Sequence, residues 1–213
     1  MRHTNLVVLL LVTLLLPGCA FFGYTAAAVT GAPRIPAAYK LKVFPVLVMV
    51  DDPDEQLGSA GLTSQIAEMV GFYITENIDK RIDEDFIPAQ RLSALADRLG
   101  REDVFPKTPI DVIGRELGAK EVVCVVIESA KLDMAPGMLR PQAAVSVTVV
   151  DVESGQRVYP ESGSHRLEVK LKPMHDDRAG RATSRLASQK MAEDIALKVS
   201  KLFYKHWEAE PRR

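Results

Sequence analysis

The stretch IGRELGAKEVVCVVI, residues 113–127, holds the change of period that sets the fold class. Upstream of it Pro109 suits the first turn of a helix, where the missing N–H has no partner to lose. Ile110, Ile113 and Leu117 then recur at helical spacing, and Gly118 supplies the stop. Residues 121–127, EVVCVVI, are a nearly unbroken apolar run of strand length, the pattern of a strand buried on both faces. A helix feeding directly into such a strand is a building unit of a sheet with helices packed on it.

Toward the amino terminus, residues 43–50 (VFPVLVMV) form another two-sided apolar run, with Pro45 pushing the strand start later or to an edge. Residues 51–61 read as a loop, and Leu62, Ile66, Met69, Val70, Tyr73, Ile74 and Ile78 mark an amphipathic helix over 62–79. Phe86 and Ile87 make a short strand. Residues 89–99 form a helix with Leu92, Leu95 and Leu99 on one face, ended at Gly100. Downstream, strands are expected at 121–131, 143–151 and 156–171, with a hairpin turn at Ser154 and Gly155. A last helix is expected over about 184–207. This order predicts an α/β (α+β) fold: a mixed, mostly antiparallel sheet whose parallel first half feeds an antiparallel meander, with helices packed on it. It makes one domain over residues 40–207, with a short tail at 208–213.

The amino-terminal forty residues have a different character. Arg2 precedes an apolar core at residues 6–16, and Pro17 and Gly18 break it just before Cys19. Eleven helical residues rise only about 16 Å, half of a hydrocarbon core of about 30 Å, so this run alone does not span a membrane. Leu16, Pro17, Gly18 and Cys19 together resemble the cleavage box of bacterial lipoprotein precursors. Pro17 stands where that family carries Ala, Ser, Thr or Val. The resemblance implies a signal peptide at 1–18, diacylglycerol on the Cys19 sulfur, cleavage before Cys19 and acylation, palmitate included, of the new amine. It also implies, from Ala20 in place of Asp after the cysteine, the periplasmic face of the outer membrane. Residues 19–39 are rich in Ala, Gly and Pro and read as a lipidated tether.

Composition excludes more than it assigns. Among 213 residues the formal net charge is −1, and loss of a leader whose one charged side chain is Arg2 makes it −2. No basic field is present for nucleic acid. Asp51, Asp52, Asp54 and Glu55 follow a strand end and offer an alternative ligand or metal loop, or a hydrolytic one. The EF-hand spacing fails there because Leu57 stands where glycine is required. His165, His175 and His206 lack zinc spacing, and no nucleophile elbow, phosphate loop or dinucleotide fingerprint occurs. No enzyme, cofactor or metal is expected. Cys124 reads as a packing thiol. Arg178, Arg181 and Arg185 gather positive charge at the last helix. The segment LDMAPGMLRP, residues 132–141, reads as a loop carrying Met134, Met138 and Leu139, either folded back on the sheet edge or offered to a protein partner.

FIPAQRLSAL (86–95), IGRELGAKEVVCVVI (113–127) and VSVTVVDVESGQRV (145–158) resemble the envelope lipoprotein domain shared by the TolB amino-terminal region, the lipoprotein activators of penicillin-binding proteins and the curli secretion lipoprotein. The likeness would cover residues 40–207. It implies a non-enzymatic, lipid-anchored envelope protein that binds or assembles another envelope component, or an oligomeric secretion-channel or scaffold subunit.

Overall fold

The apolar run after Gly118 forms the central strand of the sheet. The computed structural model describes residues 34–58, 60–78, 82–101, 104–135, 138–175 and 180–207. In chain order the elements are β1 (Arg34–Ile35), β2 (Val46–Asp51), α1 (Ala60–Asn77), α2 (Ile82–Asp85), β3 (Phe86–Ile87), α3 (Ala89–Leu99) and α4 (Ile110–Leu117). Then come β4 (Glu121–Ala135), β5 (Met138–Asp151), β6 (Arg157–Tyr159), β7 (His165–Lys170), β8 (Met174–His175), α5 (Gly180–Ser200) and β9 (His206–Trp207). A small unit pairs β1 with β9 antiparallel, with the Arg34 guanidinium 4.4 Å from the Trp207 ring centroid. The larger unit, Ala37–Tyr204, holds everything else.

In that unit the sheet order is β3-β2-β4-β5-β6, with β7 and β8 also paired to β5. β3, β2 and β4 are parallel, and β4 with β5, and β5 with its outer partners, are antiparallel. The expected mixed, mostly antiparallel sheet with helices packed on it is therefore the observed fold.

Alternation along each strand divides the apolar residues between two faces. On one face Val46, Val48, Val123, Val125, Ile127, Val145, Val147 and Val149 pack against Ile66, Val70 and Ile74 of α1 and Met191, Ile195 and Val199 of α5. On the other, Leu47, Val122 and Cys124 pack against Leu95 of α3 and Ile113 and Leu117 of α4. This second layer covers the parallel half and reaches β5 only at its end, near Val152. Near the strand ends a buried carboxylate ties the leading segment down: Glu121, 2% exposed, accepts from the Tyr39 hydroxyl at 2.8 Å and from the Lys42 backbone N–H at 3.1 Å. Burial, followed by the Glu121 bond and charge, raises the Tyr39 phenol above its ordinary value, so it stays a donor.

β2 begins at Val46, after Pro45, the later of the two starts expected, because proline has no N–H for the ladder. Three expectations about boundaries are corrected. The single strand expected over 156–171 is two, β6 and β7, separated by Pro160 and the bend around Gly163. The last helix ends at Ser200 rather than reaching Trp207; Leu202 and Phe203 remain buried, but in the turn after it. Residues 132–135 and 138–141 are strand, not loop, extending β4 and β5 into one long hairpin.

Gly114 sits where α4 crosses the sheet, and a Cβ there would lie 2.6 Å from Val152 Cγ2 and 2.8 Å from Val122 Cγ2. Both neighbours are stiff β-branched side chains. Gly114→Ala is therefore expected to lower stability by about 1–3 kcal/mol in urea unfolding, despite alanine's better helix propensity. Gly71→Ala, whose Cβ would meet Phe86 Cδ1 at 3.3 Å, should change it far less.

Candidate functional site

Beyond the end of β5 that α4 reaches, the antiparallel half of the second face has no helix on it among the described residues. Register brings Asp51, Val126, Ser146 and Arg166 into one row across β2, β4, β5 and β7. The neighbouring rows add Thr148 and Glu168, and Ser146, Thr148 and Val126 are each half-buried. Arg166 Nε lies 3.1 Å from Glu128 Oε2, and Lys170 Nζ 2.8 Å from Glu168 Oε2. The floor is small and apolar or hydroxylic, and the margin carries paired charges. Such a face suits contact with a macromolecular surface better than enclosure of a small substrate.

At one end of this face the acidic loop comes after β2. Asp52 is spent on its own turn: its carboxylate accepts from the Gln56 N–H at 2.9 Å and the Leu57 N–H at 2.8 Å. Asp54 accepts from the Gln56 side chain at 3.3 Å. Burial, then the neighbouring Asp52 charge, raises the Asp51 carboxyl above the usual carboxylate range. No group of three or more His, Cys, Asp or Glu side chains among the described residues is arranged to hold a metal. The loop's main structural act belongs to Gln56, a residue with no motif around it to mark it in the sequence. Its Nε2 donates to the Glu128 carbonyl at 3.3 Å, and its Oε1 accepts from the Ala130 N–H at 2.9 Å. That is the pair of bonds a parallel strand residue opposite Ser129 would make. The amide thus continues the β2 edge after β2 has ended.

The residues singled out from the sequence are scattered. Met134 and Met138 stand near the tip of the β4–β5 hairpin, with Met134 opposite Leu139 and Met138 opposite Ala135. Leu139 is 1% exposed and so presents no surface to a partner, whereas Met138 is half-buried. Arg185 is exposed on α5 and Arg181 falls in the first turn of that helix. Arg178, and the whole box of Leu16, Pro17, Gly18 and Cys19, lie outside the described residues. The Tyr159 hydroxyl and His165 Nδ1 share a hydrogen bond of 2.8 Å, and the two rings stack.

A second concavity, of about 350 Å³, lies between α1 and the β3–α3 junction, walled by Val48, Glu68, Met69, Phe72, Phe86 and Pro88. Its lining is apolar, and Glu68 hydrogen-bonds to Gln90. Neither site brings a nucleophile to a base. Cys124 is buried, and burial pushes its thiol up to about 12 against the opposing effect of a hydrogen bond with Thr148.

The sequence matches no protein-family model and no curated protein. Among solved structures the chain is similar to the PelC dodecamer from Paraburkholderia phytofirmans, at 11% identity over 81% of this chain and 98% of that one, TM-score 0.45. It is also similar to lipoprotein GNA1162 from Neisseria meningitidis, at 11% identity over 71% and 97%, TM-score 0.43. A third likeness is to the LpoB C-terminal domain from Salmonella enterica, at 16% identity over 68% and 92%, TM-score 0.36. At these identities and scores the superpositions are partial and carry no statement of function.

The Cys124 environment predicts inertness. In the native protein at pH 8 it should react with a thiol-alkylating reagent at least about a hundredfold more slowly than after unfolding in urea. Mass spectrometry of the alkylated peptide reads this directly.

Proposed function

We propose that the chain is a non-enzymatic, lipid-anchored protein of the bacterial cell envelope whose α/β domain binds or assembles another envelope component. The observation that carries the reading is the sequence Leu16-Pro17-Gly18-Cys19 directly after an apolar core too short to span a bilayer. Two or three acyl chains on Cys19 hold a protein at a bilayer durably, because each buried CH₂ contributes about 0.8 kcal/mol. Among the described residues no helix is long and apolar enough to cross a membrane.

The domain's chemistry supports a binding role. Its cysteine is buried and held protonated, its best-placed loop carboxylate closes a turn, and its open face is a charge-bordered sheet. The tether read over residues 19–39 then shortens to those ahead of Arg34, because Arg34 and Ile35 are strand and Tyr39 is buried and bonded to Glu121, and the larger unit, Ala37–Tyr204, acts as the envelope domain. The half-buried Met138, with Met134 and the arginines Arg178, Arg181 and Arg185, belongs to the partner-facing surface in this reading. Ala20 after the cysteine favours the periplasmic face of the outer membrane.

Produced in a didermal bacterium fed a clickable palmitate analogue, the full chain should incorporate label and start at Cys19 by peptide mass. Cys19→Ser should abolish both label and cleavage, and Ala20→Asp should move the labelled protein to the inner-membrane fraction. A wild-type chain that keeps Met1 and an unmodified Cys19 thiol would overturn the anchoring.

A further inference from the structure

β4 is much longer than the strand beside it. β2 pairs with it only from Glu121 to Val126, yet β4 runs on to Ala135. On its other side β5 accompanies it all the way, and β5 is in turn covered by β7 and β8. The distal part of β4 is therefore a sheet edge with no strand beside it among the described residues. Gln56 blocks the first position of that edge by bonding Glu128 and Ala130. Because the Ala130 N–H is directed to Gln56, away from β5, the alternation of an antiparallel ladder directs the N–H and C=O of Leu132 and Met134 the same way. Unpaired edges of this kind are templates for another strand, and proteins commonly blunt them.

The sequence on this edge is Ala130-Lys131-Leu132-Asp133-Met134, with opposite charges one residue either side of Leu132. An antiparallel pairing of two such strands about a two-fold axis through Leu132 sets Lys131 of each chain across from Asp133 of the other. It also sets Leu132 opposite Leu132 and Ala130 opposite Met134. Backbone bonds then run between the two Leu132 residues in both directions, and from each Met134 N–H to the other chain's Ala130 carbonyl. Every Gln56 bond is retained. We propose that the distal edge of β4 is a homodimerisation strand, its occupant a second copy of this chain paired antiparallel through Leu132. The self-complementary charge pattern selects that occupant: a parallel pairing in register would set Lys131 against Lys131 and Asp133 against Asp133.

The test uses the full-length chain in the membranes of cells producing it. The hydrogen-bonded position places the two Leu132 Cα atoms about 5.5 Å apart, within disulfide reach. Leu132→Cys treated with a mild oxidant should give a disulfide-linked dimer that the unaltered chain does not give. Adding Lys131→Glu, or Asp133→Lys, should each reduce that dimer about tenfold, because two attractive cross-strand pairs become two repulsive ones. Co-producing the two reversed chains with different tags should restore the crosslink between unlike tags only, since K131E facing D133K recreates both attractive pairs. A fold defect could not produce that rescue. In parallel, detergent-solubilised wild-type chain should sediment as a dimer and K131E as a monomer. Crosslinking of Leu132→Cys to a different protein, no crosslink at all, or reversals without effect would each overturn the proposal.

Discussion

The β4–β5 ladder is the constraint on which the rest of the unit depends. Fourteen register pairs join the two strands, and along most of that length one face or both are closed by other elements. A strand buried on both sides cannot slip by one residue without exchanging every side chain between two cores. The positions of β2, of the two helix layers and of the outer strands are all fixed by where this ladder starts. Glu121 is its first residue and the anchor for Tyr39 and Lys42, so the place where the chain enters the unit is set by the same strand. A buried carboxylate is costly unless fully bonded, and here a hydroxyl and a backbone N–H supply the bonds.

The elements with a clear period were legible: α3 at residues 89–99, α4 between Pro109 and Gly118, and the two-sided apolar cores of β2 and β4. What was not legible has an identifiable cause. At Glu128 the β4 register shifts by one, so Ile127 faces Val145 while Ser129 faces Ala144. The bulge reverses the parity of the strand: Val123, Val125 and Ile127 face the α1 and α5 core before it, and Ala130 packs against that core after it. Alternation read across residues 121–135 is therefore out of phase with itself, and the distal part looked like a loop. Pro136 and Gly137 in the sequence between the two strands add to that impression. The end of α5 failed differently. Leu202 and Phe203 continue the helical spacing and are buried, so periodicity cannot see that the backbone has left the helix.

The candidate interaction face was invisible for a related reason. Its residues, Asp51, Val126, Ser146, Thr148 and Arg166, come from four strands and acquire meaning only through register. Two of the residues that a linear reading favours are consumed by the architecture. Asp52 closes a turn, and Leu139 is inside the unit. Gln56 carried no signal at all: a glutamine in a polar loop acquires a role only when the strand beside it outruns its partner.

The unequal lengths of β2 and β4 connect these points. A parallel strand joined by crossover helices stops where its helix must begin, and α1 takes the chain away from β2 after Asp51. A hairpin partner has no such limit, so β4 and β5 can extend past the layered core. The bulge at Glu128 stands just past that limit, two positions beyond the last residue paired to β2, and with Gln56 it marks the transition from a strand held between two neighbours to one held by a single neighbour. Past the transition the sequence of β4 changes: Lys131 and Asp133 stand where the valines stood. The part of the sheet least required by the core is thereby the part left with its backbone available to another chain.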